Sequence, residues 1–203
     1  MSLRDRQLAA TRDLVREAAL AAFLDDGYVA TTMTGLAARA GVARQTLYNL
    51  FDSKAALLID LVGAQAEDAR HRDRGRDRAE VLATAEPTDL LDLFAAAHLR
   101  VVERTAPIFR VVQQASAVDP AVAEHLSALE KRRAGELGAV VDVLDARGAL
   151  RGDVPVAQLR RGFVALTSPA VAVALLDAGV TGTEFAEWVR STAQGLLLPP
   201  SGA

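Results

Sequence analysis

The sequence predicts an all-α protein, and three observations predict it. Apolar residues recur at helical spacings along most of the chain, as at Met33, Leu36, Ala37 and Ala40. Runs of alternating β-branched residues, the mark of a half-buried strand, do not occur. The composition is 51% hydrophobic but only 4% aromatic, rich in Ala, Leu and Val. A chain of 203 residues can bury a sizeable core in one or two domains.

Met1 to Gln7 reads as a polar arm carrying Arg4 and Arg6, either a disordered terminus or a segment touching a nucleic-acid backbone or minor groove. Leu8 to Asp26 is a first helix, with Val15, Ala18, Ala19, Ala22 and Phe23 on one stripe. Gly27-Tyr28 ends it, Tyr28 entering the core. The stripe at Met33, Leu36, Ala37 and Ala40 makes a short second helix, closed by Gly41, a residue free to take φ > 0. A third begins after Val42. Leu47, Leu50 and Phe51 share one side of it, and Arg44, Gln45, Tyr48 and Asn49 share the other.

Two short helices that bury one face each, the second showing solvent a row of hydrogen-bonding groups, describe a helix-turn-helix over about residues 31–50. Its second helix lies in the major groove and reads bases from its N-terminal half. Arg44 suits a guanine edge or a phosphate, and Gln45 an adenine edge or the backbone. Thr46, Tyr48 and Asn49 reach out beside them. Thr32, at a helix start, and Lys54, just past the third helix, are expected to hold phosphates. The whole chain has a formal charge of −3. Residues 1–62 hold seven Lys/Arg against seven Asp/Glu. Affinity for DNA must therefore come from where the charges point.

These residues also carry a family likeness. Val15, Ala18, Phe23, Gly27-Tyr28, Thr31-Thr32, Leu36-Ala37, Ala40-Gly41-Val42, Thr46-Leu47-Tyr48, Phe51, Ser53-Lys54 and Leu57 resemble the N-terminal domain of the tetracycline-repressor (TetR) family. The likeness spans about residues 8–68 almost without gaps. It implies a homodimeric transcription regulator, usually a repressor, released from its operator by a small molecule. Two positions depart from the family pattern. Gly35 stands where an acidic residue often completes a capping box, and Ala43 where Ser or Thr often starts the recognition helix. A missing N-cap costs about 1 kcal/mol.

A fourth helix begins after Phe51-Asp52, with Leu57, Leu58, Leu61 and Val62 inward, and runs into Asp68 to Arg78. Arginines alternating with Asp, Gly or His there cannot share one helix face, which favours a solvated helix end and loop over an accessory DNA contact. Residues 69–203 form a second domain for ligand and dimer contacts. Its amphipathic segments are about Asp89–Thr105, Pro107–Ala117, Pro120–Arg147, Val156–Leu176 and Thr183–Leu198. Pro107 and Pro120 suit first helical turns, whereas Pro169 must kink or break its segment. Residues 165–198 also resemble, more loosely, the C-terminal regions of some TetR-like regulators.

Several long helices whose faces are rich in Ala and Val enclose space that these small side chains fill poorly. Phe94, His98, Phe109, Val112, Gln113 and Phe163 are the expected pocket lining, suited to a small lipophilic effector. His98 reads as either a satisfied core histidine or a lining group, with Gln113 approaching from the next helix. Arg133 is either a snorkelling surface residue or a ligand or interface contact. Trp188, with Phe185, Val189, Thr192 and Leu196, reads as a stripe between subunits. One helix-turn-helix reads few base pairs, so a homodimer on a palindromic double-stranded operator is expected, paired through residues 156–176 and 183–198.

Other classes find little purchase. The chain has no Cys and three His, no phosphate-cradling Gly loop and no nucleophile elbow. No catalytic residue, metal ligand or cofactor is assigned, and the chain is not expected to be an enzyme. An all-α enzyme without a recognisable motif, or a helical partner-binding protein, is the alternative; neither explains the exposed row on the third helix. No apolar stretch approaches the ~20 residues of a membrane span, and no secretory signal is legible, so a cytoplasmic protein is expected.

Overall fold

The computed structural model describes residues 2–71 and 86–200, with side chains from 66 to 71 left aside. The described residues are mostly helical, with no strand among them. The helices are α1 (Leu3–Ala30), α2 (Met33–Arg39), α3 (Arg44–Leu50), α4 (Lys54–His71), α5 (Pro87–Ser116), α6 (Pro120–Ala146), α7 (Val156–Leu166), α8 (Pro169–Asp177) and α9 (Gly182–Leu197). Residues 72–78, the greater part of the arginine-rich run, lie outside the described residues.

Two compact units are distinguished. The first comprises Met1–Ala66 and Pro107–Ser127, the second Glu67–Ala106 and Ala128–Ala203. In the first, the stripes of α1 to α4 meet in one apolar cluster that includes Phe23, Leu36, Leu47, Leu57 and Leu58. Ile108, Val111, Val112 and Val122 complete the same cluster. The core of the second unit gathers Leu91 and Leu144 with Leu159 and Phe163 of α7 and Ala193 and Leu197 of α9.

Four expectations change. The N-terminal arm is helical from Leu3, because Ser2 and Asp5 form a reciprocal capping box at 2.8 and 3.1 Å. The helix 8–26 also extends beyond Gly27. That residue takes φ +78° and ψ 168°, which breaks the ladder, and the chain then completes one more turn to Ala30. Only a glycine adopts that conformation without strain. Pro107 starts no helix; it lies inside α5. Val102 and Ala106 before it and Ile108 and Val111 after it are all buried, and that burial on both sides offsets the hydrogen bond proline removes. Of the stripe around Trp188, Phe185 and Val189 are fully buried within the chain, whereas Trp188 and Leu196 are partly buried and Thr192 is exposed. Pro169 acts as its sequence requires. The segment 156–176 breaks at Thr167-Ser168, Ser168 Oγ accepts from Ala170 N at 3.3 Å, and α8 restarts with Pro169 in its first turn.

Among the described residues, no single helix is long and apolar enough to cross a membrane.

Candidate nucleic-acid interface

The turn between α2 and α3 is four residues, Ala40 to Ala43, built on Gly41 at φ +66°. The amides of Gly41 and Val42 return to Ala38 and Ala37 carbonyls at 3.2 and 3.0 Å, closing the end of α2. Leu47 anchors α3 with no exposed surface, and Phe51 at its end is also buried. Arg44, Gln45, Tyr48 and Asn49 are exposed and Thr46 is half-buried. The recognition face is thus set by one buried leucine in a helix of two turns.

Gln45 Nε2 donates to Asn49 Oδ1 at 2.9 Å, so the two amides that face outward are oriented by each other. Thr32 Oγ1 accepts from Gly35 N at 3.1 Å, capping α2. Its hydroxyl proton stays available for an anion at that helix start. The start of α3 has no such help. Ala43 sits in an extended N-cap conformation with no side-chain hydrogen bond. Ala43→Ser is expected to stabilise the protein by about 1 kcal/mol, read as a rise in the urea midpoint, because a serine Oγ there can accept from the Thr46 amide. An unchanged midpoint would show that α3 is held by packing alone.

The charges resolve into pairs. Arg16 bridges Asp60 at 2.7 Å and Asp13 at 3.1 Å, and the Asp60 bond holds its guanidinium above the ordinary arginine range. Arg39 pairs with Asp25 and Asp26. Arg12 donates to the Leu50 carbonyl at 3.3 Å and lies over the Phe51 ring at 4.9 Å, so it fastens the end of the recognition helix. Of the seven basic residues in positions 1–62, Arg4, Arg6 and Arg44 have no partner among the described residues. α3 itself carries Arg44 and no carboxylate. The balanced count therefore hides a locally positive reading face.

Lys54 is placed differently from the sequence expectation of a phosphate hook. Its ammonium donates to the carbonyls of Tyr28 at 2.6 Å and Thr31 at 2.8 Å, and stands 4.2 Å from the centroid of the Tyr28 ring. Three donors are mostly spent on the frayed end of α1, where a cation meets exposed carbonyls. Desolvation there lowers its pKa, with Asp119 acting in the opposite sense. Tyr28 Oη donates to Asp119 Oδ2 at 2.6 Å, a partner 91 residues away. Burial and that bond push the phenol far above its ordinary pKa, while the same bond holds the Asp119 carboxyl below its own. Sequence spacing carried no signal for this cluster.

The expected pocket residues divide between the units. Phe94, His98 and Phe163 come together in the second, with ring centroids 5.8 Å apart for Phe94–His98 and 4.9 Å for Phe94–Phe163. Val112 is buried in the core of the first unit, and Phe109 and Gln113 belong to that unit too. Gln113 is exposed, and it shares α5 with His98 where an approach from a separate helix was expected. Arg133 is held within the chain. It pairs with Glu130 at 2.8 Å and donates to the Val164 and Thr167 carbonyls at 3.1 and 3.3 Å, capping the end of α7.

A family model for bacterial regulatory proteins of the tetR family matches residues 15–61, the span that holds the helix-turn-helix. That segment is similar to the helix-turn-helix region of tetR-family regulators. Solved structures share the fold along nearly the whole chain. A TetR-family regulator from Syntrophomonas wolfei superposes with a TM-score of 0.74 at 17% identity, over 93% of this chain and 95% of that one. A transcriptional regulator from Saccharomonospora viridis in complex with choline gives 0.73 at 16%, over 94% and 99%. Salmonella enterica GusR gives 0.68 at 22%, over 93% and 95%. No curated protein matches the chain.

Proposed function

We propose that this protein represses transcription as a homodimer on a palindromic operator and is released by a small lipophilic molecule. The observation that carries the reading is the α3 face, where Arg44, Gln45, Tyr48 and Asn49 stand exposed with no carboxylate among them. Residues 8–68 meet the DNA and residues 69–203 serve ligand and dimer contacts, in a cytoplasmic protein with no catalytic step of its own. Thr32 holds a phosphate, Arg44 and Gln45 read base edges, and Thr46, Tyr48 and Asn49 complete the contact. Two-fold pairing sets two recognition helices ~34–36 Å apart, one turn of the duplex. The exposed row Ala157, Arg161 and Ala165 on α7 supports pairing through that helix and α9. The neighbour from Saccharomonospora viridis, solved in complex with choline, supports a small-molecule effector.

The test is a gel shift on the DNA upstream of the chain's own gene, repeated across salt concentrations. Gln45→Ala is expected to change sequence preference while retaining affinity for DNA in general. Lys54→Ala is expected to lower folding stability and leave the salt slope as it was, because its donors serve α1. A slope reduced by about one unit would instead make Lys54 a phosphate ligand. If the chain shifts no DNA at any salt, the reading is wrong.

A further inference from the structure

His98 sits on α5 inside a row of rings. Its ring centroid lies 5.8 Å from that of Phe94, nearly parallel, and 5.7 Å from that of Phe185. Phe94 continues to Phe163 at 4.9 Å and Phe185 to Trp188 at 6.3 Å. Within this apolar row, Nε2 of His98 is buried and has no hydrogen-bond partner among the described residues. Buried polar atoms are nearly always paired, because an unpaired one has lost water and gained nothing. No described residue compensates this one. An incoming group that does so is bound more tightly for it.

We propose that the ring cluster around His98 is the effector seat, and that it takes a neutral compound with an aromatic body and one hydroxyl, the hydroxyl bonding Nε2. This rests on the ligand-released reading above and gives that ligand its chemistry. A hydroxyl both donates and accepts, so it satisfies Nε2 in either tautomer of the neutral imidazole. Burial and the nearby Arg133 charge keep that imidazole neutral. Arg133 is already paired with Glu130 at 2.8 Å, so it offers no spare counter-charge, and a charged ligand would be buried among the rings unpaired. Four aromatic side chains provide stacking and edge contacts for a planar body. Phe94 and Trp188 are only partly buried and form the outer side of the cluster, whereas Phe163 and Phe185 are fully buried and form the floor.

Trp188 is the only tryptophan in the chain, so its emission reports on this cluster alone. The full-length protein is titrated by calorimetry and by Trp188 emission with 4-propylphenol, propylbenzene and choline. The expected result is one site per chain for 4-propylphenol, an emission change, and binding of propylbenzene weaker by about tenfold or more. His98→Phe is expected to abolish the preference for the phenol while keeping propylbenzene. His98→Gln, which keeps a polar atom, retains part of it and covers the case in which the first variant fails to fold. Equal binding of phenol and hydrocarbon, preferential binding of choline, binding without change at Trp188, or no binding at all would each overturn the proposal. A gel shift with 4-propylphenol separates the two readings. Binding at Trp188 with the operator complex intact leaves the seat in place and removes ligand release. Release with Trp188 silent does the reverse.

Discussion

Between pH 6.5 and pH 4 the protein is expected to lose about 3 kcal/mol of stability through His98 alone. Burial among rings, and secondarily the charge of Arg133, lower the imidazole pKa from 6.5 to about 4. In the unfolded chain the same group takes up a proton near 6.5. As pH falls through that window the unfolded state binds the proton first, and protonation pulls the equilibrium towards it. The contribution is fully present above 6.5, is lost progressively down to about 4, and changes no further below. The groups facing the imidazole fix this sign: Phe94 from its own helix, Phe185 from α9, and the Arg133–Glu130 pair from α6. Urea unfolding at pH 7 and at pH 4.5 is the measurement. His98→Phe is expected to flatten the dependence in this interval, and a variant with the wild-type slope would assign the acid loss to other groups. Asp119 acts in a lower window. Its carboxyl is held below the ordinary value by Tyr28, so its contribution is present above about 3.9 and is lost as pH falls through its folded value.

Leu47→Ala is expected to cost about 3 kcal/mol and to abolish operator binding at concentrations where the parent saturates. Leu47 is wholly buried in the core of the first unit and is the only fully buried residue of α3. A seven-residue helix with no N-cap cannot persist by its own propensity, so its docking supplies its existence. Truncating the anchor removes the methyl groups that fix the reading face as well as opening a cavity. Tyr48→Ala, one residue along on the exposed side, serves as the control and is expected to change stability by less than about 0.5 kcal/mol. Similar losses for both variants would show that α3 is held by its surface contacts.

The helix-turn-helix was legible because its signals are local. Met33, Leu36, Ala37 and Leu47 fall where a 3.6-residue period puts them, Gly41 supplies the one turn that φ > 0 requires, and what remains on α3 must face outward. Ser2-x-x-Asp5 is an equally local signal, overlooked beside a polar terminus. Long-range pairings were not legible. Nothing in the spacing ties Tyr28 to Asp119, Lys54 to the Tyr28 and Thr31 carbonyls, or Arg133 to the end of α7. Three of the six expected pocket residues, Phe109, Val112 and Gln113, fall in the other unit for a related reason. An apolar stripe says that a face is covered, not which neighbour covers it, so Val112 was grouped with His98 when it serves another core.

The way α5 and α6 are divided has a consequence for the modularity of such proteins. Ile108, Val111, Val112, Ala115 and Val122 belong to one apolar cluster with Phe23, Leu36 and Leu47, although more than half a hundred residues of chain intervene. The reading head is therefore not a bead on a string that ends near residue 68. Excised there, it would present a bare oily flank where those five side chains now sit. A gene fusion that swaps the sensor while keeping the reader must import this hairpin of the sensor with it, or rebuild the surface it covers. Sequence drift in the second half of such a chain is constrained at these positions by a task performed in the first.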